Sequence, residues 1–125
     1  MFAPFVICRM AVEAVAPNGI SVACTKGDAF SVVLDKGLGA TASTAIRQMT
    51  NGANTDVLDY TIYTDAAYSK VWGTTPATGV TGTGAGLAAG KAILEPVYAL
   101  LFDDTTSQNA SAGSYQDKIT VTVNF

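Results

Sequence analysis

The sequence lacks histidine altogether and is poor in charged residues and cysteine. Its 125 residues include no His, two Cys and 14% charged residues. The absence of His removes the usual base of a nucleophilic triad and the commonest metal ligand. Asp103 and Asp104 are adjacent, and no other pair of carboxylates stands out at the spacing of a glycosidase pair. We therefore predict a protein that is not an enzyme and that has no metal or cofactor.

The charge balance is mildly acidic, with a formal net charge of −3 and seven Lys and Arg residues. Nucleic-acid binding needs clustered basic residues, and here they are scattered along the chain. The longest apolar segment, residues 92–102, is interrupted by Glu95 and Pro96, and it falls short of the roughly 18 residues that span a bilayer. We predict neither nucleic-acid binding nor membrane insertion.

Composition favours a single β-rich domain. With 49% hydrophobic residues, a chain of 125 residues can bury one core without a cofactor. The charged fraction is well below the usual quarter, while Thr, Ala, Gly, Ser and Val dominate. This composition suits an extracellular structural protein, and a low-charge β-sandwich without that role is the simpler alternative.

Alternating apolar residues predict short strands separated by turn signals, and helical periodicity is hard to find. The predicted strands cover residues 8–15, 20–24, 30–34 and 57–63, with a shorter candidate at 68–72. The sequence therefore predicts an all-β fold.

The second half of the chain alternates between small-residue and apolar segments. Residues 74–90 contain no charged residue and are rich in Gly, Thr and Ala, which predicts a long flexible loop. The GTGAG run at residues 82–86 lacks the strand-to-helix setting of a nucleotide-binding loop. Apolar residues return at 92–102, where Pro96 indicates an edge position or a strand start. Residues 103–112 are predicted to form a polar loop.

The clearest strand pattern lies at residues 117–125, where apolar and polar side chains alternate. The apolar face consists of Ile119, Val121, Val123 and Phe125. Because no later segment of this sequence follows, we expect the free edge of this strand to stay unpaired within the chain. Such an edge, with an apolar face, is a template for a strand from another molecule. The pattern thus predicts assembly.

Cys8 and Cys24 lack the close spacing of metal or redox cysteines, so we predict a structural disulfide between them. Closing a loop of about 15 residues stabilises a fold by roughly 3 kcal/mol in the chain-entropy model. A disulfide implies an oxidising compartment. Two buried free cysteines in a reducing compartment are the alternative.

Five segments of the chain carry a resemblance to a known family. They are GISVACTKG at residues 19–27, RQMTNG at 47–52, LDYTIYTDAA at 58–67, VWG at 71–73 and AGSYQDKITVTVNF at 112–125. In this order and spacing they resemble the spore coat U domain family, which includes pilins of archaic chaperone-usher systems.

The resemblance implies an incomplete immunoglobulin-like β-sandwich, formed by residues 8–125, that lacks its last strand. A donor strand from a neighbouring subunit would complete it, in an acceptor groove along Ile119, Val121, Val123 and Phe125. The implied partners are identical or related subunits, a periplasmic chaperone and an outer-membrane usher. The implied location is a cell-surface pilus, exported through the periplasm of a Gram-negative bacterium.

The family places its donor strand just before the first cysteine, which here is the apolar segment MFAPFVI at residues 1–7. The candidate donor residues are Phe2, Phe5, Val6 and Ile7. Fully extended, seven residues span about 24 Å. The alternative is an ordinary first strand that folds onto its own sheet.

Three functions are compatible with the sequence. The first is a structural subunit of an archaic chaperone-usher pilus that supports surface attachment and biofilm. The second is a spore or cyst coat protein with the same fold. The third is a secreted lectin-like binding module, which an exposed aromatic cluster of Trp72, Tyr68 and Tyr63 would favour.

Overall fold

The computed structural model of the chain describes residues 8–13, by their backbone alone, and residues 19–125. Strands dominate this part of the chain. They are β1 (Cys8–Glu13), β2 (Gly19–Cys24), β3 (Ala29–Leu34), β4 (Arg47–Asn51), β5 (Val57–Tyr63), β6 (Val80–Thr83), β7 (Ile93–Pro96), β8 (Tyr98–Leu101), β9 (Tyr115–Gln116) and β10 (Val121–Asn124). A 3₁₀ turn lies at Pro76–Thr78, and a short helix, α1, at Thr105–Gln108. The predicted all-β fold is confirmed.

The strands pair into three sheets, with the orders β1-β2-β7, β10-β3-β6 and β8-β5-β4-β9. Every strand pair is antiparallel. Val97 alone separates β7 from β8, so one extended segment joins the first sheet to the third. The second sheet contains β10, the terminal strand of this sequence.

The core lies between the sheets and follows the two-residue period of the strands. Its buried members are Ile20, Val22 and Cys24 of β2, Phe30, Val32 and Leu34 of β3, Tyr60 and Ile62 of β5, and Trp72. Every second residue of β2 and of β3 therefore enters the core, as the alternation in the sequence predicts.

Residues 74–90 do not form the long loop that their composition predicts. They contain the 3₁₀ turn and β6, which pairs with β3 so that Gly82 lies opposite Phe30. A Cβ atom added at Gly82 would lie 2.6 Å from Cζ of Phe30. The glycine therefore makes room for a core ring, and its strand is specified by packing rather than by propensity.

Other differences from the predicted elements have similar causes. β4 was not predicted, because its sequence is mostly polar and its pairing with β5 and β9 comes from the tertiary fold. The candidate strand at 68–72 is reduced to an isolated bridge between Tyr63 and Val71, and Tyr68 has a φ of 54°. Helix α1 lies within the predicted polar loop, where Asp104 caps it by accepting a hydrogen bond from the Ser107 N–H.

The predicted first strand is described over Cys8–Glu13, and its residues 14 and 15 lie outside the described part. The boundary of the last strand differs from the prediction. β10 begins at Val121, four residues later than predicted. The candidate donor residues Phe2, Phe5, Val6 and Ile7 all lie outside the described residues.

Candidate functional site

The candidate site is the open edge of β10. This strand pairs with β3, with Val121 opposite Leu34. It is the edge strand of its sheet, so within the described residues its second edge has no strand partner. The backbone N–H and C=O groups of that edge are therefore available to a further strand.

An apolar cavity of about 210 Å³ opens beside this edge. Strands from all three sheets and two connecting segments contribute its lining: Ile20, Leu34, Ile62, Val97, Ile119 and Val121. The three lining residues from β2, β3 and β5 are at most 7% exposed, and the other three are half-buried. Core side chains lack contacts on the open side of this cavity, so an apolar side chain entering it would be stabilised.

Of the four residues predicted to line an acceptor groove, two line the cavity and two lie further along the terminal segment. Ile119 and Val121 line the cavity. Val123 is half-buried and packs against the core. Phe125 is 63% exposed and borders a shallow depression next to Phe30. Their role in accepting a donor strand stays a prediction.

Two aspartates hold the segment that leads into β10. Asp117 accepts hydrogen bonds from Oη of Tyr60 at 2.7 Å and from the N–H of Leu38 at 2.9 Å. Oδ1 of Asp35 accepts a hydrogen bond from the N–H of Thr120 at 2.9 Å. The Asp35 N–H in turn donates to the Thr120 carbonyl at 3.2 Å. We call these contacts the aspartate clamp.

Gly37 makes room for the clamp. Its φ of +81° lies in the left-handed region that favours glycine, and an added Cβ would lie 2.2 Å from Oδ2 of Asp117. Its N–H also donates to Oδ1 of Asp35 at 3.0 Å. The predicted strand at residues 30–34 ends directly before the Asp35-Lys36-Gly37 triplet. An Asp two residues before a Gly is the pattern of a side-chain-capped turn, a signal that indicates the turn at Asp35 but not its contact with Thr120.

The clamp shifts the pKa values of its members. Burial alone would raise the pKa of Asp35, but hydrogen bonds from Thr120 and Gly37 and the positive charge of Arg47 hold it below the ordinary value of 3.8. Burial raises the pKa of Tyr60, and its hydrogen bond to the Asp117 carboxylate raises it further. Near neutral pH, Asp35 is therefore an ionised acceptor and Tyr60 a neutral donor.

A fully buried arginine, Arg47, lies behind the clamp. Its Nη2 donates to the carbonyl oxygens of Asp35 at 2.8 Å and Trp72 at 2.7 Å. Its Nη1 donates to Oγ1 of Thr61 at 2.8 Å and to the Thr44 carbonyl at 3.1 Å. Burial lowers the pKa of the guanidinium, and nearby negative groups partly oppose this shift. Sequence reasoning missed Arg47, because a single arginine in a polar strand has the pattern of a surface residue.

The exposed aromatic cluster that would favour the lectin-like alternative does not form, because Trp72 is buried. Trp72 is fully buried, and its Nε1–H donates to the Val32 carbonyl at 2.8 Å. Tyr63 and Tyr68 make an edge-to-face pair with ring centroids 5.7 Å apart. Trp72 is therefore not available to stack on a ligand.

Neither a metal centre nor a membrane-crossing helix is found in the part of the chain that the structure describes. Within residues 8–13 and 19–125, no three His, Cys, Asp or Glu side chains are grouped as a metal ion would require. No helix in the same residues has both the length and the hydropathy to cross a membrane.

Cys24 is disulfide-bonded and 1% exposed. In the β1–β2 pair its register partner is Cys8, the other cysteine of the sequence. Residues directly opposite each other on antiparallel strands have Cα atoms about 4.5–5.5 Å apart, within the range that a disulfide bridges. The pairing of Cys8 with Cys24 remains a proposal, tested below.

The sequence matches the family model described as Spore Coat Protein U domain over residues 9–122. The chain belongs to this family. Among curated proteins, Protein U of Myxococcus xanthus is 31% identical to it over 120 residues. The alignment covers 93% of this chain and 63% of Protein U, so the chain spans less than two thirds of that relative's length.

A solved structure shares the fold of this family member. It is a chain of the CsuC–CsuE chaperone–tip adhesion subunit pre-assembly complex from archaic chaperone-usher Csu pili of Acinetobacter baumannii. The TM-score is 0.70 at 22% sequence identity, and the match covers 97% of this chain and 40% of the other. The predicted immunoglobulin-like fold is thus confirmed.

Proposed function

We propose that this chain is a structural, non-enzymatic subunit of an extracellular fibre of the chaperone-usher type. Its subunits would join by donor-strand complementation, in which a strand of one subunit fills the groove beside β10 of the next. One observation carries the proposal: among residues 8–13 and 19–125, β10 has a strand partner on one side only, and an apolar cavity of about 210 Å³ that reaches the core lies beside it.

The energetics favour a joint at this groove. A strand added at β10 would satisfy the backbone groups of the open edge, and its alternate side chains would enter the apolar cavity. Burying an apolar side chain contributes about 1.5–3 kcal/mol, so several of them stabilise a joint by on the order of 10 kcal/mol. The proposed donor is the apolar segment of residues 1–7, through Phe2, Phe5, Val6 and Ile7.

Family membership and the fold of the Csu relative support the choice of assembly route. The proposed partners are identical or related subunits in the fibre, and a periplasmic chaperone and an outer-membrane usher during assembly. The proposed location is the cell surface of a Gram-negative bacterium, where such a fibre would support attachment and biofilm.

The test is whether the subunit still forms fibres when Val121, a residue of the cavity wall, is replaced by aspartate. Val121→Asp would place an unpaired charge at the joint, so we expect folded subunit without fibres in negative-stain images. Thr122→Asp is the matched control, because Thr122 is exposed on the opposite face of the same strand. Normal fibres from Val121→Asp would refute the groove as the acceptor site.

A coat protein is the second candidate, favoured by the 31% identity to Protein U and by the family's description. In that case the same groove would join subunits in a layer around a spore or cyst. Sheet-like or amorphous material in place of fibres, made by the wild-type chain, would favour this function.

A further inference from the structure

We propose that Asp35 and Asp117 are positioning residues that hold Ile119 in the cavity wall and so keep the groove beside β10 open for a donor strand. This inference rests on the proposed function and adds to it a means of preorganising the acceptor site.

The segment at residues 117–120 needs such support because it crosses between sheets. β9, just before it, pairs with β4 in the third sheet, whereas β10, just after it, pairs with β3 in the second. The crossing itself is not part of a strand. It is fixed at its start by Asp117 and at its end by the two hydrogen bonds between Asp35 and Thr120.

Each clamp residue is also attached to a buried polar group. Oη of Tyr60, a core residue that is 7% exposed, donates to Asp117. The fully buried guanidinium of Arg47 donates to the Asp35 carbonyl from both Nε, at 2.9 Å, and Nη2, at 2.8 Å. The position of the crossing is therefore set by the core, and Ile119 is held between two fixed points.

The clamp opposes collapse of the empty groove. Protein interiors pack densely, so an unfilled apolar cavity gains contacts when a neighbouring side chain moves into it. Ile119 is the half-buried wall residue nearest in sequence to both anchors, and without them it would be free to move into the cavity. A groove closed in this way would have to reopen before a donor strand could enter, which would slow the joining of subunits.

Amide hydrogen exchange on the full-length chain tests the positioning step. Tyr60→Phe removes one anchor with little change in shape, and Asp117→Ala removes the acceptor of both the Tyr60 hydroxyl and the Leu38 N–H. We expect exchange at Thr120 and Thr122, whose amides face β3, to accelerate about tenfold in both variants, while the amides of β2 keep wild-type rates. Tyr63→Phe is the matched control on the same strand. The proposal is overturned if the amides of β2 and β10 accelerate together, because that is the pattern of a general loss of stability.

Fibre growth tests the consequence for assembly. The clamp variants should elongate fibres about tenfold more slowly than wild type, whereas Ser107→Ala, which loses a hydrogen bond to the β5 backbone away from the groove, should not. Normal elongation by clamp variants that show the local exchange change would refute positioning for assembly and leave the proposed function standing. Absence of fibres from the wild-type chain would instead count against the proposed function, while the exchange result would still decide whether the clamp holds residues 117–120.

Discussion

Arg47 and Trp72 are joined by a 2.7 Å hydrogen bond from Nη2 of the arginine to the backbone carbonyl of the tryptophan, and both side chains are fully buried. Nε1 of Trp72 continues the connection to the Val32 carbonyl of β3 at 2.8 Å. A polar path therefore runs through the core from β4 to the second sheet. It explains why a mostly polar segment forms an interior strand, since the arginine satisfies carbonyl groups that packing has removed from water.

Replacing this arginine should be among the most destabilising single changes in the chain. Arg47→Met leaves the carbonyl oxygens of Asp35 and Trp72 without their arginine donors, so we expect the free energy of unfolding to fall by about 3 kcal/mol or more. Arg47→Lys should also destabilise the fold, because an ammonium group cannot reproduce the planar fork. Urea unfolding measures both changes, with Lys36→Met at an exposed position as the control. A loss below about 1 kcal/mol for Arg47→Met would contradict this account.

Stability should decrease in acid partly through Asp35. Its pKa in the folded protein lies below the ordinary value of 3.8, so the unfolded chain takes up a proton at higher pH than the folded one. The stabilisation that Asp35 contributes is complete above about pH 3.8 and is lost as the pH falls through its lower pKa in the folded protein. Asp59 acts in the opposite direction, because burial raises its pKa.

The measurement is the free energy of unfolding as a function of pH. Asp35→Asn should flatten its fall below about pH 4, because that side chain no longer exchanges a proton. Some slope should remain, since Asp56, Asp65 and Asp104 also have lowered pKa values. Asp103→Asn, an exposed position outside the clamp, is the control. If the free energy of unfolding falls as steeply below about pH 4 in Asp35→Asn as in the wild type, Asp35 does not contribute to the loss of stability in acid.

The sequence predicted those parts of the fold in which apolar alternation and burial coincide. β2, β3 and β5 were located closely because every second residue is apolar and all of these except Leu58 of β5 enter the core. β4 and β6 were missed, because one is polar and the other is rich in small residues. Their strands depend on partners that are distant in sequence.

The candidate site was likewise predictable from the sequence only in part. The terminal pattern alone placed Ile119 and Val121 on an apolar face, and both line the cavity, while their role as acceptor residues stays a prediction. The clamp could not be predicted, because Asp117 meets Leu38 across 79 residues and Asp35 meets Thr120 across 85. A single carboxylate carries no sequence signal of the distant backbone group that it will bind.

A disulfide between Cys8 and Cys24 is expected in the native protein. The two residues are opposite each other in the β1–β2 register, and Cys24 is disulfide-bonded. Intact-mass analysis should show two hydrogens fewer than the reduced chain, and reduction should lower the free energy of unfolding by roughly 3 kcal/mol in the chain-entropy model. Thiol labelling of both cysteines in unreduced native protein would exclude the bond.

The leader at residues 1–7 should act as the donor strand. In an inserted strand, alternation would place Phe5 and Ile7 on one face and Phe2 and Val6 on the other, and we expect the Phe5 and Ile7 face to enter the neighbour's groove. Deleting residues 1–7 should leave a subunit that accepts a strand but cannot donate one. Mixed with the intact chain, it should cap fibres, so that their mean length in negative-stain images falls as its proportion rises.

The double variant Phe5→Ser with Ile7→Ser is the control for this deletion, because it keeps the length of the leader and removes only the apolar face. It should shorten fibres in the same way as the deletion, since a polar donor would not be stabilised by the apolar cavity. Full-length fibres from the deleted chain alone would exclude the leader as donor. Unfolding of the deleted chain would instead assign residues 1–7 to the subunit's own sheet, and a coat or monomeric protein would then be the better interpretation.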